Sequence, residues 1–237
     1  MASEYETFEE TLYPPDLAMS PFFAIARFRS MLRKYGEKRV LEDVKFKKAR
    51  EVWITATFLL GFSTLTEKEY WVLPEHREPT PDTYGLSVAA HPDRPQYKTQ
   101  DRMSIEVVEW ESHGEQDLLD AIQRKLARKK YPSDFVLLIY GRRPGEMVDL
   151  EKVFSSLGAG RANISVSEIW LLGNVEGVNP DHHIIVRLYP DRAQREFMVN
   201  EQLERRSGQK EMVRFIRGTG DDDTIAEEHY IPLPPFP

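Results

Sequence analysis

An α/β fold, a mixed central sheet flanked by helices, is what this sequence predicts, and three observations carry it. Short apolar runs of strand length alternate with amphipathic segments of helical period, above all in the second half. The chain has 237 residues and is 41% hydrophobic, enough to bury a substantial core without covalent staples. It has no cysteine, which excludes a disulfide framework, a thiolate zinc site and a cysteine nucleophile.

The elements follow in order. Ser20-Pro21 reads as an N-cap followed by proline at the first helical position. Ile25, Phe28, Leu32 and Tyr35 recur at helical spacing, and Gly36 marks the stop. The run from Glu51 to Phe62 is apolar on both parities and predicts an interior strand. Further strands are expected near Glu69–Leu73, Tyr84–Ala90 and Met103–Trp110. Asp117–Lys130 is the clearest helix, with Leu118, Leu119, Ile122 and Leu126 as its apolar stripe. Phe135–Tyr140 reads as a buried strand and Leu150–Leu157 as a short helix. Val166–Leu172 and His183–Leu188 read as strands. Asp191 is expected to cap a last long helix ending near Gly208, with an outer strand over Glu211–Arg217. The domain organisation expected is an acidic irregular segment over 1–20, one α/β domain over 21–217, and an acidic, Pro-rich tail over 218–237.

The formal charge of −7 is concentrated at the ends. Residues 1–20 and 218–237 each carry five acids and no Lys or Arg, leaving 29 acids against 32 bases between them. An anionic partner is therefore compatible with the body of the protein. The acidic, polar beginning has no signal-peptide character, and no apolar run is long enough to span a bilayer. The expectation is a cytoplasmic protein without a membrane partner.

Asp82 stands in Thr80-Pro81-Asp82-Thr83-Tyr84-Gly85, where a loop enters a strand, and Glu106 lies inside the next strand, in Ser104-Ile105-Glu106-Val107-Val108-Glu109. Paired carboxylates suit a hard divalent cation such as Mg²⁺ or Mn²⁺, which takes few protein ligands and keeps several waters. Such an ion activates water and stabilises a phosphoryl transition state. The uninterrupted basic group Arg124, Lys125, Arg128, Lys129 and Lys130 could meet nucleic-acid phosphates, although a solvated helix face is the ordinary reading of such a run. Asp181-His182-His183 spells a phosphoesterase signature without that family's other motifs, and neighbouring strand histidines point to opposite faces. No P-loop and no G-x-S-x-G elbow is present.

A Pro-Asp at a strand start followed by an acid in the next strand resembles the PD-(D/E)XK nucleases, the restriction-endonuclease-like superfamily. The order helix, three strands, helix, strand over residues 21–140 is similar to that superfamily's core. The resemblance implies that Asp82 and Glu106 hold the metal. It also implies a lysine two residues beyond the second acid, which would position the nucleophilic water. That position is Val108, a departure from the pattern. Parts of the superfamily supply the lysine from a neighbouring helix, and Lys125 or Lys129 would then serve here. Glu42 would be an accessory acid, and Gln123 could face the site. Position 125 lies about 100° from 126 on the helical wheel, at the margin of the buried face. The expectation is a Mg²⁺- or Mn²⁺-dependent nuclease of weak or lost activity, with Asp82, Glu106 and Lys125 as its catalytic residues. The alternative is a non-catalytic binding or assembly protein on the same fold.

Overall fold

The computed structural model describes residues 17–76, 80–90, 98–111, 115–142, 148–160, 164–175, 179, 181–205 and 212–214. The acidic segment before residue 17 and the tail expected over 218–237 lie outside them. The chain is α/β, a mixed sheet with helices, and clusters into two compact units. Of the described residues, one comprises those within 17–59, 68–102 and 212–214; the other comprises those within 60–67 and 103–205.

The first unit opens with strand β1 (Leu17–Met19) and helix α1 (Pro21–Tyr35). Ser20 caps α1 by accepting a hydrogen bond from the Phe23 N–H at 3.1 Å, and Gly36, at φ +87°, closes it through its own N–H to the Leu32 carbonyl. Helix α2 (Glu37–Glu42) and a single 3₁₀ turn (Val44–Phe46) lead into helix α3 (Lys47–Thr66). The Arg50 guanidinium donates to the carbonyls of Val40 and Asp43, both at 3.0 Å, and so ties this turn to α3. Strands β2 (Trp71–Pro74) and β3 (Thr83–Ala90) follow. With β9 (Met212–Arg214) the strands run β9-β1-β2-β3, every pair antiparallel.

Helix α3 corrects the strand expected over 51–62. Val52, Ile54, Ala56, Phe58, Leu59 and Leu60 are all buried, so this stretch of the helix is buried on every side and shows little amphipathic period. An all-apolar run reads alike as a buried strand or a buried helix. Its length, beyond that of an ordinary strand, was the signal that separates them. Trp53 stacks on Phe28 of α1 at 4.8 Å.

The second unit contains the C-terminal part of strand β4 (Lys98–Trp110), helix α4 (Glu115–Arg128), strand β5 (Phe135–Gly141), helix α5 (Leu150–Ala159) and strands β6 (Glu168–Asn174), β7 (His182–Tyr189) and β8 (Ala193–Met198). The strands run β4-β5-β6-β7-β8. The first three are parallel, and the last two join antiparallel. Parallel neighbours need a crossover, and α4 provides it between β4 and β5. Trp110, Leu137, Ile139, Ile169 and Leu171 form one face of this sheet and pack with Leu118, Leu119 and Ile122 of α4 and Val153 and Leu157 of α5. On the other face the end of α3 is held by an edge-on contact of Phe62 with Trp170 at 5.4 Å. Arg195 also donates to the Thr64 carbonyl at 2.9 Å.

Residues 193–198 correct the long helix expected from Asp191. Arg187 pairs with Ala193 across a tight turn, and the segment returns along β7 as an edge strand. Its composition favours a helix, but the ladder offered by β7 outweighs that preference. Only α6 (Val199–Arg205) is helical there. No helix of the described residues is long and apolar enough to cross a membrane.

Candidate functional site

Strand alternation puts Glu106, Val108 and Trp110 of β4 on the face that meets α4. Glu106 is 4% exposed and stands opposite Leu137 of β5. Its Oε1 meets the Lys125 ammonium at 2.7 Å and accepts from the Tyr131 hydroxyl at 3.4 Å. Its Oε2 is buried without a hydrogen-bond partner among the described residues. Lys125 lies one helical turn beyond Ile122, at the edge of the stripe that α4 buries. Its aliphatic stem lets the ammonium reach inward from there. Tyr131, buried just past the end of α4, packs its ring near Phe135.

Asp82 belongs to the first unit. It is buried at the entrance to β3, and its carbonyl accepts a hydrogen bond from Lys48 Nζ at 3.0 Å. The same ammonium pairs with Glu51 Oε2 at 2.8 Å, while Lys47 reaches Glu51 Oε1 at 2.6 Å. Burial alone would raise the Glu51 carboxyl. The charge of Lys48, with Lys47, outweighs it and holds the group below the ordinary glutamate value. One turn further along α3, the Thr55 and Thr83 hydroxyls share a hydrogen bond of 2.7 Å. Lys48, Glu51 and Thr55 thus form one face of α3 directed at the start of β3.

The sequence reading missed Lys48, Glu51 and Tyr131. Reading 51–62 as a strand hid the helical i,i+3 and i,i+4 spacing of Glu51 from Lys48 and Lys47, which is the signal for such pairs. Tyr131 could have been found as a tyrosine before a buried strand, whose hydroxyl needs a partner. The buried acid on the helix before β2 is Glu51. Glu42 is exposed at the end of α2, one helix too early, and Gln123 is exposed on α4. His182 and His183 alternate as expected. His183 is buried, hydrogen-bonds the Asp181 carbonyl and stacks on Phe197, while His182 pairs with Glu196.

Of the basic group, Lys125 is drawn to Glu106 and Lys129 lies over the Tyr131 ring at 5.9 Å, while Arg124, Arg128 and Lys130 are exposed. Val108, Trp110, Ala121, Arg124, Lys125 and Arg128 line a cleft of about 380 Å³ between β4 and α4. Glu109 and Glu111 stand on its β4 side, and Arg142 pairs with both.

The donor chemistry can be tested against a divalent ion. The bare, buried Oε2 of Glu106 fits a hard cation. Glu51 does not fit, since two lysines already neutralise it. Among the described residues no group of three or more His, Asp or Glu side chains is gathered for a metal. Mg²⁺ needs no such group, because it is held by one or two carboxylates and keeps its waters. No family model matches the chain, and neither a curated protein nor a solved structure shows significant similarity to it.

Proposed function

We propose that the chain is a divergent PD-(D/E)XK-type phosphodiesterase whose lysine is supplied by a helix. The observation that carries this reading is the 2.7 Å contact of Lys125 Nζ with Glu106 Oε1. The strand position that would hold the lysine is Val108. An ammonium from α4 reaches the same carboxylate instead. The chain order supports the reading too: α3, β2, β3, β4, α4, β5 is helix, three strands, helix, strand. The helix that opens this order is the segment first read as a strand.

In this reading Glu106 would hold a Mg²⁺ or Mn²⁺ ion, which supplies Lewis acidity toward a phosphoryl oxygen and lowers the pKa of bound water. Lys125 holds a fixed positive charge where negative charge develops on the phosphoryl group. A preorganised charge in a sparsely hydrated site is worth far more than one in water. Tyr131 donates to the same Glu106 oxygen. Lys48 fixes the backbone at Asp82, and Glu51 fixes Lys48.

The test is cleavage of plasmid and single-stranded DNA with Mg²⁺ and with Mn²⁺. Wild type is expected to cleave slowly, and Glu106→Ala is expected to lose orders of magnitude in rate. Cleavage unchanged in Glu106→Ala would overturn the assignment. A second reading, a non-catalytic nucleic-acid-binding protein on the same fold, is favoured by the engagement of Glu106 Oε1 with both Lys125 and Tyr131. It predicts no cleavage with either metal.

A further inference from the structure

The cleft beside the Glu106–Lys125 pair has features that the pair itself does not use. Its apolar lining is Val108, Trp110 and Ala121. Trp110 is 5% exposed, and its indole N–H has no acceptor among the described residues. On the helical wall Arg128 has no partner among the described residues, and Arg124 spends only its Nε, on the Asp120 carbonyl at 3.2 Å. Of the two acids nearby, Arg142 pairs with Glu109 at 3.1 Å and also with Glu111, so one of their two negative charges is offset. The lining thus joins apolar Val108, Trp110 and Ala121 to the guanidinium groups of Arg124 and Arg128, next to a lysine that is already paired.

We infer that this cleft takes a single unpaired nucleotide, its phosphate on Arg124 and Arg128 and its base against Val108 and Trp110. Planar guanidinium groups suit a phosphate's oxygens, and an aromatic edge with an apolar neighbour suits a base of any identity. The volume, about 380 Å³, falls in the range of small-molecule sites and admits one nucleotide. A base within a duplex enters such a site only after leaving its stack. This deepens the phosphodiesterase reading and rests on it for the consequence that cleavage selects unpaired strands. The binding itself does not require catalysis. The nucleotide can come free in solution or as part of a strand, since both present the same phosphate and base.

The test is direct binding to the full-length protein in EDTA, where no cleavage occurs. Calorimetry would use thymidine monophosphate and inorganic phosphate, and fluorescence anisotropy would use a labelled oligothymidylate and a blunt duplex. The inference expects the oligothymidylate to bind more tightly than the duplex, and thymidine monophosphate more tightly than phosphate. Binding of the monophosphate assigns a free nucleotide as a ligand; binding of the oligothymidylate alone assigns a strand. Either supports the shared chemistry. Arg128→Ala, an exposed change, should weaken binding by about tenfold or more, as loss of a charge-assisted hydrogen bond does. Ala121→Phe should fill the cleft, keep every charge and also weaken binding. Duplex bound as tightly as the single strand, phosphate bound as tightly as the nucleotide, or binding indifferent to Arg128→Ala would overturn it. Binding with this pattern but no cleavage under any metal would leave the cleft standing and remove the nuclease. Cleavage lost in Glu106→Ala without this binding pattern would do the reverse.

Discussion

At the scale of residues, the chemistry turns on how buried carboxylates are compensated. Glu106 keeps one oxygen engaged with an ammonium and a hydroxyl and the other bare. Glu51 has an ammonium on each oxygen, the mark of a structural anion that sets the position of Lys48. This difference has a pH consequence. The Glu51 carboxyl is held below its ordinary value in the folded protein. Its contribution to stability is therefore fully present above the unfolded value, about 4.3, and is lost as pH falls through the lower folded value. Glu51→Gln is expected to lower the melting temperature at neutral pH. The gap to wild type should narrow as pH drops below about 4. Thermal melts across that range check it, and a gap independent of pH would show that the lysines do not act on Glu51 as charges. The places of Asp82 at a strand start and Glu106 inside a strand were legible in the sequence, because both can be read from turn residues and strand pattern. Lys48 was not, because its role depends on a helix that the local pattern disguised.

At the scale of elements, the C-terminal turns of α3 are fitted closely to β8 within the second unit. A Cβ on Gly61 would lie 2.5 Å from the ring of Phe197 on β8, so the helix approaches the strand only because this residue has no side chain. Gly61→Ala should therefore destabilise the protein, although alanine is the better helix former, by about 1–3 kcal/mol through overpacking. Adding Phe197→Leu should recover part of the loss. Denaturant melts measure both. A stabilised Gly61→Ala would mean that Phe197 moves aside at little cost. The elements with amphipathic or alternating patterns, α1, α4 and β7, were readable to within a few residues. The two that were not show opposite failures of local pattern. The run 51–62 has no polar face to give a period, and 193–198 has helical composition but meets an open strand edge. Both outcomes are decided by tertiary packing, which no window of sequence contains.

At the scale of the molecule, the α/β class, the acidic ends and the basic residues of α4 were present in the sequence. The position of Lys125 was only bounded. The wheel put position 125 at the margin of the buried face, and a long side chain from that margin reaches Glu106. The central claim is that this ammonium does the work absent at Val108, and Lys129 is its nearest rival on the same helical end. The most direct measurement compares Mn²⁺-dependent cleavage of single-stranded DNA by Lys125→Ala and Lys129→Ala, with folding verified by thermal melts. Lys125→Ala should lose orders of magnitude in rate, as removal of a preorganised charge does, and Lys129→Ala should lose far less. Equal losses, or a larger one for Lys129→Ala, would contradict the account.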